Sequence, residues 1–184
     1  MVTLFKKFAT TVLVLTIAFA AAACSSNSDK KEESAAATGI AATASASAPA
    51  DETASKAQAY IAARLAEEKV EGLFHQETSA DGKSILNPIT PDKDAAVKFL
   101  NAYIDSALSE KIVTYYLTEE KADGAIVVKS DKFLSVSIRG TASKDEVAFE
   151  GTPEEYKLST KDGGVYTVKK NAEGKYLLAD YAKQ

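Results

Sequence analysis

The chain carries one histidine, His75, and one cysteine, Cys24. That scarcity limits its chemistry. A tetrahedral zinc site normally draws on cysteines or several histidines, so a metal bound here would need Asp or Glu for every ligand beyond His75. A histidine-based catalytic triad would have that same side chain as its only base. His75 falls near a turn, where a solvated or hydrogen-bonded structural role is expected. Ser28-Asp29-Lys30-Lys31 matches the Ser-x-x-Lys spacing of serine–lysine acyltransferases, but it stands in an alanine- and serine-rich stretch that could not preorganise an oxyanion hole. Asp92-Lys93-Asp94 and Glu119-Glu120 resemble acidic metal-binding pairs. The first reads better as charge complementing a helix N-terminus, the second as a solvated turn, and neither has the spacing of a calcium-binding loop. Gly163-Gly164 joins two β-like segments and opens no helix, so no phosphate loop is indicated. The expectation is a chain with no catalytic residues, no metal ligands and no cofactor.

Tyrosine is more prominent. There are eight, seven of them from Tyr103 onward, and no tryptophan. Tyr115 and Tyr116 are adjacent in a helical stretch, so both cannot face the core, and one of them should reach the surface or a groove. Tyrosine is enriched in recognition patches, which makes Tyr115 and Tyr116 the candidate interaction surface. The competing role is that of an amphipathic side chain at the core edge.

The elements that would position these residues begin after a long N-terminal preamble. Lys6 and Lys7 precede an apolar run, Phe8 to Phe19, and then the small residues Ala20 to Ala23. This is the pattern of an export signal, and the run is shorter than the roughly 20 residues of a membrane-spanning helix. From Ser25 to Ala50, 15 of 26 residues are Ala or Ser. Such a stretch cannot bury enough apolar area to offset the entropy of ordering it. As a flexible coil it would span roughly 25–30 Å. The expected organisation is a signal over residues 1–23, a tether over 24–50 and one globular domain over 51–184. Without the signal, 20 basic residues face 26 acidic ones. They are interspersed and form no basic stripe, so nucleic acid is not an expected partner.

Within the domain, the spacing predicts a first helix from near Asp51 to Glu71, with Ile61 and Leu65 as its apolar stripe, widened by Tyr60 and several alanines, and Gly72 as its C-cap. Leu73 to Gln76 reads as a short strand and Ala80-Asp81-Gly82 as a turn. A second helix should start with Thr90 as N-cap and Pro91 at its first position. It should run through Ala96, Val97, Leu100, Tyr103, Ile104, Ala107 and Leu108. Ser109 could cap a further short helix with Ile112, Val113, Tyr116 and Leu117 facing inward. After Gly124 the period changes to two, giving strands around Phe133–Arg139, Val147–Phe149, Tyr156–Leu158, Val165–Lys170 and Lys175–Tyr181, separated by turn-like breaks. The fold class is therefore α+β, with two to three N-terminal helices packed on a C-terminal antiparallel meander of four to six strands.

Ala22-Ala23-Cys24 resembles the cleavage site of bacterial lipoproteins, which ends in two small residues and an invariant cysteine. The resemblance covers only the first two dozen residues. It implies that Cys24 becomes the lipidated N-terminus and that the protein is extracytoplasmic, anchored to a bacterial membrane. That would account for a lone thiol in an exported chain. Ala21 stands where the family usually has leucine, which leaves ordinary cleavage after an Ala-x-Ala open. Residues 173–181, Glu-Gly-Lys-Tyr-Leu-Leu-Ala-Asp-Tyr, look like the terminal strand of the nuclear-transport-factor-2-like or cystatin-like group, with Tyr176 in place of tryptophan. Gly124-Ala125-Ile126-Val127-Val128-Lys129 and Lys132-Phe133-Leu134 are similar to a passage in secreted inhibitors of cell-wall DL-endopeptidases. These likenesses imply helices on an antiparallel sheet and carry over no functional residue.

The expected function is a non-catalytic binding or interaction module of the cell envelope, with a membrane as one partner and an envelope protein or a peptidoglycan-associated component as another, possible modulation of wall hydrolases included. The alternative is an enzyme that acts on envelope polymers through carboxylates alone, which would place two Asp or Glu about 5–5.5 or 6.5–9.5 Å apart in one cleft. A substrate-binding lipoprotein of a transporter needs two α/β lobes, for which about 130 residues are too few.

Overall fold

A computed structural model describes residues 49–184. Cys24, the expected export signal and the expected tether as far as residue 48 lie outside the described residues. The described part is α+β: three helices precede or interleave with two antiparallel four-stranded sheets.

Helix α1, Pro49–Phe74, is longer than expected at both ends. It includes Pro49 and Ala50, which the sequence assigned to the tether, and it runs through Gly72 instead of capping there. The His75 amide still donates to the Glu71 carbonyl, 2.9 Å, so Leu73 and Phe74 are helical and the expected strand over Leu73–Gln76 does not form. Both side chains are buried, so extending the helix keeps two large apolar groups in the core.

Strands β1 (Glu77–Thr78) and β2 (Ser84–Ile85) follow, joined around the expected Ala80-Asp81-Gly82 turn. Helix α2 spans Lys93–Leu100 and begins later than expected. Its N-cap is Asp92, whose carboxylate accepts from the Ala95 amide at 2.9 Å. Thr90 instead turns its hydroxyl back to the Asn87 carbonyl, 3.1 Å. The long second helix of the sequence reading is divided. Between α2 and α3 (Ser106–Tyr116) the backbone leaves the helix to meet β8, Tyr176–Lys183: the Leu178 amide donates to the Tyr103 carbonyl (3.1 Å) and the Asp105 amide to the Leu178 carbonyl (2.8 Å). Asp105 then caps α3 through the Ala107 amide, 3.0 Å, and Ser109 is a buried interior residue of that helix, not its cap.

Strands β3 (Leu117–Ala122) and β4 (Ala125–Val128) form a hairpin. Its two turn residues, Asp123 and Gly124, both have positive φ, 52° and 83°, the pattern of a type I′ turn. Leu117 is thus the first residue of a strand and not the end of a helix. The first sheet has order β1-β2-β4-β3. The second is the meander that the sequence led us to expect: β5 (Ala148–Thr152), β6 (Glu155–Ser159), β7 (Gly164–Lys170) and β8, in that order. Gly151 is obligatory in the first hairpin: its φ is 111°, and a Cβ there would stand 2.2 Å from the Glu155 carbonyl oxygen.

The expected strand over Phe133–Arg139 is absent as a ladder, although its alternation is real. Leu134 and Ile138 are buried, Val136 is half-buried, and Ser135, Ser137 and Arg139 are exposed. Residues 130–143 form an irregular strap of bends, with a turn at residues 139–140, and no strand pairs with it. Its backbone amides are met by side chains instead: Phe133 N donates to Tyr116 Oη (2.8 Å), Val136 N to Tyr181 Oη (2.8 Å), and Ile138 N to both Tyr166 Oη (3.1 Å) and Glu67 Oε2 (3.0 Å). Arg139 N also donates to Glu67 Oε2, 3.2 Å, and the Ser137 hydroxyl donates to its other oxygen. At the far end, Arg64 Nη1 donates to the Thr141 carbonyl at 2.7 Å.

Candidate interaction surface

Helix α1 packs on the second sheet through small residues. Ala59, Ala63 and Ala66 are fully buried, and Val70, Leu73 and Phe74 continue the same side. Alanines allow a close approach of helix to sheet, and Tyr60 and Glu67 are buried beside them. Ile61 and Leu65, expected to form the core stripe, lie on the other side of the helix at 3.6 residues per turn and are displaced from the core. Ile61 is 60% exposed and Leu65 is half-buried.

Both line a groove of about 310 Å³ with Gln58, Tyr103, Lys175 and Tyr176. A second hollow of about 250 Å³ continues along the helix, lined by Lys69, Gly72, Gln76, Ile89 and Phe99. Gln58, Ile61, Leu65, Lys69 and Gly72 recur every three or four residues, the spacing of a single helix face, and Gln76 follows just beyond the end of α1. From Gln58 to Gly72 that face runs about 21 Å at 1.5 Å per residue. Ile89 is 72% exposed. Among the described residues, Ile61 and Ile89 are the large exposed apolar side chains, and each borders one of the two hollows.

Tyr103 contributes to the first hollow and packs on Phe99 of the second, ring centroids 5.9 Å apart. Two ammonium groups lie over its ring, Lys69 Nζ at 5.6 Å and Lys175 Nζ at 5.3 Å, within the range of a cation–π attraction. Lys69 pairs with Glu68 at 3.1 Å. Lys175 is exposed, donates to the Ala102 carbonyl, and has no carboxylate at ion-pair distance among the described residues.

The tyrosine pair splits as its adjacency requires. Tyr116 is 1% exposed, stacks on Phe74 at 4.2 Å, and holds the strap through Phe133 N, with His75 Nε2 3.1 Å from its hydroxyl. Burial pushes its pKa up to about 12. It presents no surface to a partner. Tyr115 is half-buried, packs edge-on against Phe133 at 5.4 Å, and borders a wide shallow depression with Glu110, Lys111 and Thr114. Lys129 Nζ lies 4.9 Å from its ring centroid.

The acidic candidates stay apart. Asp92 caps α2, and Glu120 pairs with Lys83 across the first sheet. Among the described residues, no three side chains of His, Cys, Asp or Glu come together as metal ligands. Gly163-Gly164 leads into β7. Two hollows do gather carboxylates: one of about 360 Å³ has Glu150 and Glu155, the latter paired with Lys169 at 3.1 Å, and one of about 440 Å³ has Asp51, Glu52 and Glu154 around it. All three are exposed, and two are ion-paired: Glu52 with Lys56 at 2.7 Å and Glu154 with Lys170 at 3.7 Å. Among the described residues the one buried carboxylate, Glu67, is occupied by the strap.

Two features escaped the sequence reading. The run Ala59-x-x-x-Ala63-x-x-Ala66 was a signal for close helix packing that would displace Ile61 and Leu65 outward. Ile89, between Pro88 and Pro91, carried no such signal. No family model, no curated protein and no solved structure matches this chain.

Proposed function

We propose that the protein is a non-catalytic binding module of the bacterial cell envelope, anchored to a membrane through a lipid on Cys24, and that the groove along α1 is its recognition surface. The observation that carries the binding role is the uncovered apolar face of α1. A helix that buries alanines and leaves an isoleucine exposed and a leucine half-buried keeps larger apolar groups for something outside the domain, and exposed apolar surface marks interaction sites. The anchor rests on the residues of the N-terminal signal, Lys6 through Cys24.

The two parts are tested separately. For the anchor, wild type and Cys24→Ser are fractionated in a bacterial host. Wild type should sediment with membranes and the variant should be released; a variant that stays in the pellet under high salt refutes the lipid anchor. For the surface, a photoreactive amino acid is placed at position 61 or, as a control, at exposed Lys161 on the β6–β7 turn. Position 61 should give a discrete adduct that the control lacks and that Ile89→Gln weakens, without a change in melting temperature. Identical adduct patterns from the two positions would remove the groove from the proposal.

A further inference from the structure

We infer that the occupant of the α1 groove is an acidic amphipathic helix of a partner protein. This rests on the reading of that groove as the recognition surface and specifies the chemistry of what it takes.

The geometry suits a helix. The helix face that borders the two hollows is about 21 Å long, which corresponds to about 14 residues, or four turns. Its floor is made of Ile61, Leu65 and the ring of Tyr103, and its two exposed isoleucines, Ile61 and Ile89, border separate hollows. An incoming helix with apolar residues at i, i+3, i+4 and i+7 presents one continuous stripe to such a floor. Gly72 keeps side-chain bulk out of the second hollow.

The charge points to acidic flanks. Lys175 holds its ammonium over Tyr103 by donating to the Ala102 carbonyl, without a carboxylate partner among the described residues. Its remaining protons are available to a ligand. Lys69 adds a second cation over the same ring. Of the groove residues, Glu68 is the acidic one, and it is engaged by Lys69. With Lys69 and Glu68 paired, the groove lining carries one net positive charge, at Lys175, on a chain whose net charge is −4. Charge at the rim of an apolar groove sets partner choice and association rate more than total affinity. It would admit a helix flanked by Asp and Glu and resist one flanked by Lys and Arg.

The experiment uses the full chain purified in detergent and two fluorescent synthetic helical peptides of about 14 residues. They share one leucine stripe, and their flanking positions are all Glu in one and all Lys in the other. Anisotropy should show the Glu peptide binding at least about tenfold tighter at low salt, a margin that shrinks as salt rises. Ile61→Gln should weaken both peptides, and Lys175→Glu should abolish or reverse the preference, with both variants melting like wild type. Equal affinity for the two peptides, or no binding of either, overturns the inference. So does a dimer in sedimentation that Ile61→Gln disperses, because the occupant is then a second copy. Binding of Cys24→Ser to phosphatidylglycerol vesicles that Ile61→Gln abolishes also overturns it, because the face then meets lipid. If the adduct from position 61 persists while the peptides are not distinguished, the groove is still the recognition surface and only the acidic partner is lost.

Discussion

The meander β5–β8 and the strap over residues 130–143 both alternate buried and exposed side chains, yet they are held by different means. In the meander each strand finds its neighbours through backbone ladders, as in the five paired positions from Ala148↔Ser159 to Thr152↔Glu155. In the strap the partners are Tyr116, Tyr166, Tyr181 and Glu67. A buried backbone amide needs a partner of some kind, and a phenol or a carboxylate meets that need as well as a carbonyl does. The difference is in how stability is distributed. A ladder spreads it over many equivalent bonds, whereas the strap concentrates it in a few side chains that reach in from α1, α3, β7 and β8. This also accounts for much of the tyrosine content. Three of the seven tyrosines after residue 100 serve as acceptors for strap amides, so their abundance is structural before it is functional.

The largest way to break that arrangement is Glu67→Ala. It leaves Arg139 N without its partner and removes charge-assisted bonds to Ile138 N and Ser137 from a residue only 5% exposed. The expected loss is about 3 kcal/mol, read as a lower urea midpoint. Amide exchange at residues 138 and 139 should accelerate more than exchange in β6 and β7. Glu67→Gln, which keeps an acceptor oxygen, should lose roughly half as much. A loss below about 1 kcal/mol for Glu67→Ala would mean that the strap is held by its apolar side chains and not by the carboxylate.

Gly151→Ala tests the ladder half. The Cβ would meet the Glu155 carbonyl in a conformation with φ of 111°, and the strain should cost about 2 kcal/mol. Its signature is opposite: faster exchange in β5 and β6, with the strap amides unchanged. Tyr181→Phe should have a smaller effect, about 1 kcal/mol, because Val136, whose amide it frees, is only half-buried. If Tyr181→Phe is silent while Glu67→Ala is costly, the pinning is concentrated at the α1 end of the strap.

What the sequence made legible follows the same division. The strands from Val147 to Tyr181 were readable because alternation and turn residues such as Lys161-Asp162-Gly163-Gly164 act locally, and local signals survive folding. Phe133–Arg139 carried the same alternation, and the burial it implies is present. What alternation cannot say is whether the neighbouring partner is a strand or a row of side chains. The Asp123-Gly124 turn was a strong hairpin signal that the helical spacing of Ile112, Val113 and Tyr116 obscured. The division between α2 and α3 had no local cause, since it follows from the pairing of Tyr103 and Asp105 with Leu178, more than seventy residues away. The groove was misread because periodicity ranks residues by hydrophobicity, so Ile61 and Leu65 outranked alanines. Helix–sheet distance, set by those alanines, reversed the ranking.

The smallest effect concerns His75, where the strap meets the end of α1. Its ring is half-buried, 5.1 Å from the Tyr116 ring centroid, with Nε2 3.1 Å from that hydroxyl. Burial lowers its pKa below the ordinary 6.5; Glu71 opposes the shift and Lys132, which is paired to Glu71, adds to it. The folded state therefore prefers neutral imidazole. Well above pH 6.5 the histidine is neutral in both folded and unfolded chains and stability does not depend on it. As the pH falls through 6.5 the unfolded chain takes up the proton first, so stability declines until the folded-state pKa is reached and then levels off. His75→Gln keeps a hydrogen-bonding group beside Tyr116 and cannot titrate, which isolates the effect from that of the carboxylates. The difference in melting temperature between wild type and His75→Gln should be constant from about pH 8 to 7 and should shift against wild type between about pH 6.5 and 5.5. Its size should stay below that of Tyr181→Phe, because the ring remains partly open to water. A shift in favour of wild type on acidification would mean that the Glu71 carboxylate outweighs burial, and that the contact with Tyr116 is strengthened by the proton and not lost with it.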